Sequence, residues 1–241
     1  MNIIEVKDLY KSYKNVKALN GLSFTAKEGE LLALLGVNGS GKSTTVKVLT
    51  GLIKRDSGTV RIFGKDIEDQ TDEDIDAVTV SPQESAICGN LTVKENLEFF
   101  YDIYGQDAAN KAQKVDEAIK RFKMEDFAAR RASRLSGGQK RKLSVAITLI
   151  TAPKIVFLDE PTLGLDILTR RELWKILEGL KGKTTIVLTT HYLEEAEHLC
   201  DSVAIISKGK LIIQDTVENI KKKYDATFEE AFIKAVEEVE L

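Results

Sequence analysis

The feature that most constrains the fold of this chain is an apolar run that leads directly into a glycine-rich segment. Leu31 to Leu35 is continuously apolar, which is typical of a central strand buried on both faces of a sheet. The next residues, Gly36-Val-Asn-Gly-Ser-Gly-Lys-Ser43, match the pattern G-x-x-x-x-G-K-[ST], and a helical pattern follows them. This order of strand, loop and helix predicts a phosphate-binding loop in an α/β protein.

The chemistry of this loop follows from its residue types. Glycines let the backbone curl so that successive N–H groups point at phosphate oxygens, and the helix N-terminus adds its positive dipole end. We expect Lys42 to reach the β- and γ-phosphates of a nucleotide and the Ser43 hydroxyl to bind Mg²⁺. The residues expected to bind the nucleotide here are Gly36, Asn38, Gly39, Ser40, Gly41, Lys42, Ser43 and Thr44.

Two adjacent carboxylates, Asp159 and Glu160, end a second apolar strand that begins at Ile155. Side chains alternate along a strand, so the two acids can serve different purposes. We expect Asp159 to hold Mg²⁺ and Glu160 to polarise the water that attacks the γ-phosphate. The alternative, that one of them only caps the next helix, is disfavoured by the phosphate loop.

The rest of the chain predicts an α/β fold with a mainly parallel sheet, because strands alternate with helices after residue 154. The expected strands there are 155–158, 184–190 and 202–206, and the expected helices are 167–180 and 193–200. Before them, an N-terminal antiparallel β portion is expected over residues 2–24, broken by a polar turn at 11–17, with further strands at 59–63 and 77–80. Helical periodicity is expected at 91–104, 108–124 and 136–150.

These elements predict one domain with three parts. The core subdomain spans residues 1–84 and 151–215, and closes with a hairpin whose turn is Lys208-Gly209-Lys210. The inserted α-helical subdomain spans residues 85–150. A helical tail spans 216–241, and its apolar stripe is expected to pack on the chain's own body; the stripe consists of Phe228, Ala231, Phe232, Ala235, Val236 and Val239.

Composition excludes several classes of protein. The chain has 35 Lys plus Arg against 38 Asp plus Glu, which argues against a protein whose main partner is nucleic acid. Cys88 and Cys200 are too few for a disulfide framework or a four-ligand zinc site, and we expect both to be partly buried in a reducing setting. The longest mostly apolar stretch, Leu143 to Pro153, is shorter than the ~20 residues of a membrane span.

A further motif follows the helical insert: Leu135-Ser-Gly-Gly-Gln139 resembles the signature of the ATP-binding cassette (ABC) family. Other elements of that family stand in the expected order from Asn2 to about Asp215. Tyr13 resembles the aromatic that stacks on adenine, although Tyr10 lies in the same segment. The remaining matches are Gln83 for the Q-loop, Leu165-Asp166 for the D-loop and His191 for the switch histidine.

The residues of the signature agree with a second phosphate site. Ser136 is a natural N-cap, and Gly137 and Gly138 leave the first N–H groups of the helix open to an anion. The resemblance implies that this segment of one subunit covers the ATP held by another in a head-to-tail, ATP-dependent dimer. A homodimer is expected, and it would have two competent sites because Glu160 and His191 are both present. It assigns Ser136, Gly137, Gly138, Gln139 and Asp166 to the nucleotide of the second chain.

The resemblance also assigns roles within one chain and a partner outside it. His191 would contact the γ-phosphate, and Gln83 would bind Mg²⁺ and water and link ATP binding to a transmembrane permease. The implied function is that of an ATPase subunit at the cytoplasmic face of the membrane. The wording from Gln83 to Leu97 and the acidic tail resemble ABC-2 type exporters of drugs or other amphiphiles; Ile167, where a proline is frequent in these relatives, is a departure.

Two surfaces carry further expectations. The permease is expected to dock after Gln83, in the segment from Glu84 to Tyr101, where Phe99, Phe100 and Tyr101 are candidate exposed aromatics. The basic run Gln139-Lys-Arg-Lys142 is interpreted as the solvated and phosphate-facing first turn of a helix rather than as a nucleic-acid site.

Other functions remain as alternatives. A non-transport ABC ATPase could switch a soluble complex, but such relatives usually carry two cassettes or long coiled-coil insertions. A GTPase or nucleoside kinase is disfavoured by the signature and by the absence of an N-K-x-D motif.

Overall fold

Ten strands form two sheets in the computed structural model, which describes residues 1–84, 86–104 and 108–240. Their bounds are β1 (Asn2–Tyr13), β2 (Val16–Lys27), β3 (Leu31–Leu35), β4 (Ser57–Ile62), β5 (Lys65–Asp66), β6 (Val78–Ser81), β7 (Ile155–Asp159), β8 (Thr185–Thr190), β9 (Ser202–Ser207) and β10 (Lys210–Asp215). The larger sheet has the order β10-β9-β3-β8-β7-β6 and the smaller one β2-β1-β4-β5.

The larger sheet is parallel except for the closing β9–β10 hairpin, which confirms the predicted α/β class. Strand β3 lies near its middle and is buried along its whole length. Leu31, Ala33 and Leu35 contribute to one apolar core, while Leu32 and Leu34 contribute to a second. Side chains alternate across a strand, so this strand joins the two cores, and the loop that follows it has a rigid base.

The smaller sheet is antiparallel, as predicted for the N-terminal part. The polar turn predicted at residues 11–17 is shorter than expected. Strand β1 continues to Tyr13 and β2 begins at Val16, so only Lys14 and Asn15 form the turn, and Lys14 has a positive φ of 51°. The strands extend further than their polar residues suggest because backbone pairing continues along the solvent-facing edge.

Helices cover both faces of the larger sheet or join its strands. They are α1 (Lys42–Leu49), α2 (Asp72–Asp76), α3 (Val93–Tyr104), α4 (Lys111–Arg121), α5 (Gly137–Leu149), α6 (Ile167–Glu178), α7 (Leu193–Leu199), α8 (Val217–Tyr224) and α9 (Phe228–Glu240). Helix α1 packs in the core between the two sheets, where Val46 and Leu49 are buried. None of the helices in the described part of the chain combines the length and apolarity needed to cross a membrane.

Helices α3, α4 and α5 form the predicted helical insert, and they share a core with one face of the sheet. Val93, Leu97 and Val115 pack in the same buried cluster as Val145 and Val156. Helix α5 also packs against β6 and β7. The division of the chain into subdomains stays a prediction, and Ser85, its expected boundary, lies outside the described residues.

The C-terminal segment is helical, as expected for residues 216–241, and it consists of two helices. Helix α8 ends in three lysines, Lys221 to Lys223, and buries Val217 and Ile220 on its inner face. The tail helix α9 is confirmed; its Phe228 and Ala231 belong to the main core, and Ala235 is also buried. The side chain of Val239 and the whole of Leu241 lie outside the described residues.

The single tryptophan, Trp174 on α6, links that helix to α7. Its indole N–H donates to the Glu195 Oε1 at 3.2 Å, and the Arg170 guanidinium lies 5.4 Å from the ring centroid. Burial raises the pKa of Glu195, which disfavours its charged form. The two helices that follow Asp166 and His191 are therefore joined by a buried polar contact.

Candidate functional site

The glycine-rich loop begins at the carboxyl end of β3 and needs glycine at two positions. A Cβ on Gly36 would lie 2.3 Å from the carbonyl oxygen of Ile206, a distance that atoms do not tolerate. Gly41 has a φ of 110°, and a Cβ there would lie 2.7 Å from the Ala18 carbonyl oxygen. Only glycine fits these close backbone approaches, so the loop's glycines are required by the packing around it.

Lys42 lies inside this loop and is only 5% exposed. Its Nζ donates to the carbonyl oxygens of Gly36 at 2.8 Å and Val37 at 3.1 Å. Burial lowers the pKa of Lys42, while the nearby carboxylates of Glu160 and Asp159 raise it. A desolvated ammonium ringed by backbone groups is suited to bind phosphate oxygens.

Asp159 and Ser43 meet at the carboxyl edge of the sheet, as the sequence predicts. The Ser43 hydroxyl donates to Asp159 Oδ1 at 3.1 Å, and the Thr189 hydroxyl donates to the same oxygen. Asp159 is buried. Hydroxyl and carboxylate oxygens are the ligand types that Mg²⁺ prefers, so this pair has the donor chemistry of a magnesium site.

Glu160 has an unusual backbone conformation, with a φ of 48°. For a residue other than glycine this costs about 1–3 kcal/mol and persists only where the surroundings impose it. The Glu160 N–H donates to the carbonyl oxygen of Thr189 at 3.1 Å and to its hydroxyl at 3.0 Å. The neighbouring strand β8 therefore holds the backbone at the point where the chain leaves β7.

Two of the predicted residues flank the Glu160 carboxylate. His191 Nδ1 lies 3.1 Å from Glu160 Oε1, and the Gln83 amide donates to Glu160 Oε2 at 3.4 Å. The three residues follow β8, β7 and β6, neighbours in the sheet. Parallel strands end at the same edge, where ligands bind in open α/β folds.

A cleft of about 580 Å³ opens in front of these groups. Tyr13 lines it and Tyr10 does not, which agrees with the choice of Tyr13. The sequence interpretation missed Leu163 and the stretch Val16 to Ala18 at the start of β2, because neither carries a motif that indicates nucleotide binding. The other lining residues are Asn38, Gly39, Gly41, Lys42, Ser43, Thr44, Gln83, Glu160 and His191.

The segment Ser136 to Gln139 forms a well-built helix start. Ser136 caps α5, with its hydroxyl accepting from the Gln139 N–H at 3.3 Å while Gln139 Oε1 accepts from the Ser136 N–H at 3.0 Å. A Cβ on Gly137 would meet nothing within 4 Å. Among the described residues that line the cleft, none belongs to this segment, so a single chain does not bring the two together.

Asp166 also lies outside the described lining of the cleft. Its Oδ1 accepts from the N–H groups of Leu168 and Thr169, each at 3.0 Å, and it caps α6. Hydrogen bonds donated by the hydroxyl and the backbone N–H of Thr169 lower the pKa of Asp166. Ile167 then begins the helix without a proline.

The basic run after the signature is not solvated as expected. Arg141 is 5% exposed and donates to four backbone carbonyl oxygens, those of Pro82, Gln83, Asp159 and Pro161. Burial lowers its pKa, opposed by nearby carboxylates. Helix α5 carries Arg141 on its inner face, a placement that depends on segments far apart in sequence and that the local charge pattern conceals.

The expected aromatic surface on α3 also needs one correction. Phe99 is 43% exposed, but Tyr101 is only 7% exposed because it lies on the inner face of α3. Phe100 is partly buried and stacks on Tyr104, with ring centroids 6.1 Å apart. The exposed aromatic pair on this helix is therefore Phe99 and Tyr104.

Comparison with known proteins gives consistent relatives. The sequence model of the ABC transporter family matches residues 19–163. The probable multidrug ABC transporter ATP-binding protein YbhF of Escherichia coli is 36% identical over 97% of this chain. The daunorubicin/doxorubicin resistance ATP-binding protein DrrA of Streptomyces peucetius is 36% identical over 90% of it. The chain spans 42% of the length of YbhF and 66% of that of DrrA.

Solved structures share the fold along nearly the whole chain. An ATP-binding subunit of an ABC transporter superposes with a TM-score of 0.87 at 29% identity, covering 97% of this chain and 99% of its own. The ATP-binding cassette MJ0796, solved as a dimer in a post-hydrolysis state with ADP and Pi, has a TM-score of 0.79 at 25% identity, covering 88% and 98%.

Proposed function

The chain belongs to the ABC transporter family as an ATP-binding domain, and on that premise we propose that it hydrolyses ATP to ADP and phosphate to power a separate transmembrane subunit. One observation carries the hydrolytic part. The Glu160 carboxylate lies at the open edge of the sheet, within hydrogen-bond reach of both Gln83 and His191, in the cleft that also holds Lys42.

In this proposal the loop and its flanking residues bind the nucleotide. N–H groups of the loop and Lys42 contact the phosphates, with Thr44 and the helix start adding to the same positive end. Tyr13, which also lines the cleft, stacks on the adenine. The cleft thus holds the base at one end and the γ-phosphate near Glu160 at the other.

Glu160 acts as the general base for the attacking water. The carboxylate accepts the water's proton, and His191 beside it holds the water and the γ-phosphate in place. The backbone contacts from Thr189 fix the carboxylate before substrate arrives, which lowers the cost of reorganisation in the reaction. Ser43, Asp159 and Gln83 would hold a Mg²⁺ ion, which supplies charge neutralisation of the phosphates when bound.

The site becomes complete in a head-to-tail dimer. The helix start at Ser136 to Gln139 is capped and has free N–H groups suited to an anion, but none of its residues lines the chain's own cleft. A second copy would place this segment and Asp166 over the bound ATP. The dimeric state of the similar cassette MJ0796 supports this arrangement, and both copies would carry Glu160 and His191.

The partner and cargo follow from the relatives. YbhF and DrrA are named for multidrug transport and drug resistance, which supports export of a drug-like, antibiotic or other amphiphilic compound at the cytoplasmic face of the membrane. The permease would dock near the cleft between α3 and the sheet, where Phe99 and Tyr104 are exposed. A non-transport switch is not favoured, because these relatives are transporter subunits.

The test uses the full chain and its Glu160→Gln variant. Loss of the general base should lower the rate of phosphate release by about 10²–10⁴-fold. The same variant, mixed with ATP in the absence of Mg²⁺, should show twice the monomer mass by light scattering. Glu194→Gln, at an exposed position three residues after His191, is the matched control and should hydrolyse ATP at the parent rate. Hydrolysis by Glu160→Gln at the parent rate would contradict the proposal.

A further inference from the structure

Arg141 is a buried cation whose hydrogen bonds go to the backbone. Its Nε donates to the Pro161 carbonyl oxygen at 2.9 Å and its Nη2 to that of Asp159 at 2.7 Å. Its Nη1 donates to the carbonyl oxygens of Pro82 at 2.7 Å and Gln83 at 3.3 Å. One guanidinium therefore ties α5 to two separate segments of the candidate site.

The first of these segments brackets the strained residue. Asp159 and Pro161 stand on either side of Glu160, so Arg141 holds the carbonyl groups before and after the residue with the positive φ. Strand β8 holds the intervening N–H through Thr189. The backbone at Glu160 is thus held both by strand β8 and by Arg141 on helix α5.

The second segment carries the glutamine that contacts the same carboxylate. Arg141 holds the backbone of Gln83, while the Gln83 side chain donates to Glu160 Oε2. The Arg141 guanidinium therefore holds both the backbone of Gln83 and the backbone on either side of Glu160. The planar fork of arginine can serve several acceptors in fixed directions, which a lysine ammonium cannot reproduce.

Helix α5 connects this point to the signature. Arg141 is five residues after Ser136, so the cap and the guanidinium are separated by ~7 Å along a continuous helix. A displacement of the helix start is transmitted along the axis because the intervening hydrogen bonds are intact. Burial of the guanidinium costs desolvation free energy, which its four hydrogen bonds to carbonyl oxygens and the nearby carboxylates offset.

We propose that Arg141 is a positioning residue that sets Glu160 and Gln83 according to the placement of α5, so that seating of the signature on a nucleotide is communicated to the hydrolytic carboxylate of its own chain. The inference rests on the proposed role of Glu160. Arg141 does not line the cleft; it acts through the backbone beside Gln83 and Glu160, which do.

The first experiment compares Arg141→Met with the parent chain. Its kcat for ATP hydrolysis should fall about 10- to 100-fold, since small misplacements of a reacting group have effects of that size. The affinity for ATP, measured by calorimetry, should change less than ~2-fold, because the loop and Lys42 are untouched. An unchanged kcat, or an equal loss of ATP affinity, would overturn the proposal.

Lys142→Met is the matched control, because it removes the neighbouring cation of the same helix. Lys142 is 11% exposed in its side chain and pairs with Glu172 on α6, away from the cleft. Its kcat should stay within ~2-fold of the parent value. A loss as large as that of Arg141→Met would assign the effect to the stability of α5 and refute a positioning role.

Arg141→Lys keeps the inference testable if the methionine variant does not fold. It retains the charge and three donors but not the fork, so its kcat should lie between the parent and Arg141→Met values at parent ATP affinity. A parent-level kcat for Arg141→Lys would show that the geometry of the guanidinium is not needed.

A double variant separates this inference from the proposed function. In single-turnover hydrolysis, adding Arg141→Met to Glu160→Gln should cause less than ~2-fold further loss, because both changes remove the same contribution. Multiplied losses would mean that Arg141 acts independently of Glu160. If Glu160→Gln itself works at the parent rate, the proposed function fails; if Glu160→Gln is impaired but Arg141→Met is not, only the positioning role fails.

Discussion

Two helix starts in this molecule are built for anions, and they differ in what lies around them. The loop before α1 opens into a cleft that already contains Glu160, Gln83 and His191. The start of α5 at Ser136 is equally well capped, yet no described residue of its segment lines that cleft. In the first region the loop and the residues expected to act with it lie in one cleft, whereas the second region lies apart from that cleft; in the proposed dimer, a second copy brings the two regions together.

The largest effect should come from a change that affects only the second region. Gly137→Asp adds a carboxylate where a Cβ meets nothing within 4 Å, and an acid at a helix N-terminus stabilises the helix. The same charge repels a phosphate. Hydrolysis should fall about 10²–10³-fold, measured as phosphate release, while the affinity of the monomer for ATP stays unchanged.

Gly137→Ala is the control for this variant, since it fills the same open space without charge. It should retain most of the parent activity. Equal losses in the two variants would show that backbone freedom at this position matters rather than anion contact, and normal hydrolysis by Gly137→Asp would remove the second region from the site.

The next largest effect concerns the first region. Lys42→Met removes charge-assisted hydrogen bonds to phosphate, each worth about 1.5–3 kcal/mol, so ATP affinity should fall about 10- to 100-fold. Lys47→Met, on the exposed side of the same helix, should bind ATP as the parent does. Calorimetric titration of both variants as monomers tests whether the loop binds nucleotide without a second chain; equal affinities for the two variants would contradict it.

The smallest effect concerns the hydrogen bond between Trp174 on α6 and Glu195 on α7. Burial raises the pKa of Glu195, so folding retains a proton that the unfolded chain releases above its own pKa of about 4.3. The parent should lose stability as the pH rises from 5 to 8, whereas Glu195→Gln should lose less and still accept from Trp174. Urea unfolding followed by circular dichroism at each pH measures the difference, which we expect to be below ~2 kcal/mol.

Glu194→Gln, at the exposed neighbouring position, should follow the parent's pH dependence. Parallel curves for the parent and Glu195→Gln would mean that Glu195 is charged in the folded protein.

The first region was predictable because its signals are local. The loop pattern specifies its own backbone, and parallel strands necessarily end at the same edge, so Lys42, Asp159, Glu160 and His191 could be expected to meet. The signature could be recognised as a helix start for the same reason. Its separation from the cleft was expected on the resemblance to the family, and the described lining residues agree with it.

What the sequence could not predict depends on contacts between distant segments. Arg141 stands in a basic run that is typical of a solvated helix turn, and its burial depends on Pro82 and Pro161, whose carbonyl oxygens accept its hydrogen bonds and which lie far from it in sequence. The positive φ of Glu160 depends in the same way on Thr189.

The environment of Trp174 makes its intrinsic fluorescence sensitive to the contact between α6 and α7. The indole is the only one in the chain, and its immediate neighbours are a buried carboxyl group on α7 and a guanidinium on α6. Indole emission responds to nearby charge and polarity. Helix α6 follows Asp166 and helix α7 follows His191, two residues of the proposed site. Movement between them during a catalytic cycle would therefore change the intrinsic fluorescence, so the cycle can be followed in the unlabelled parent chain in real time.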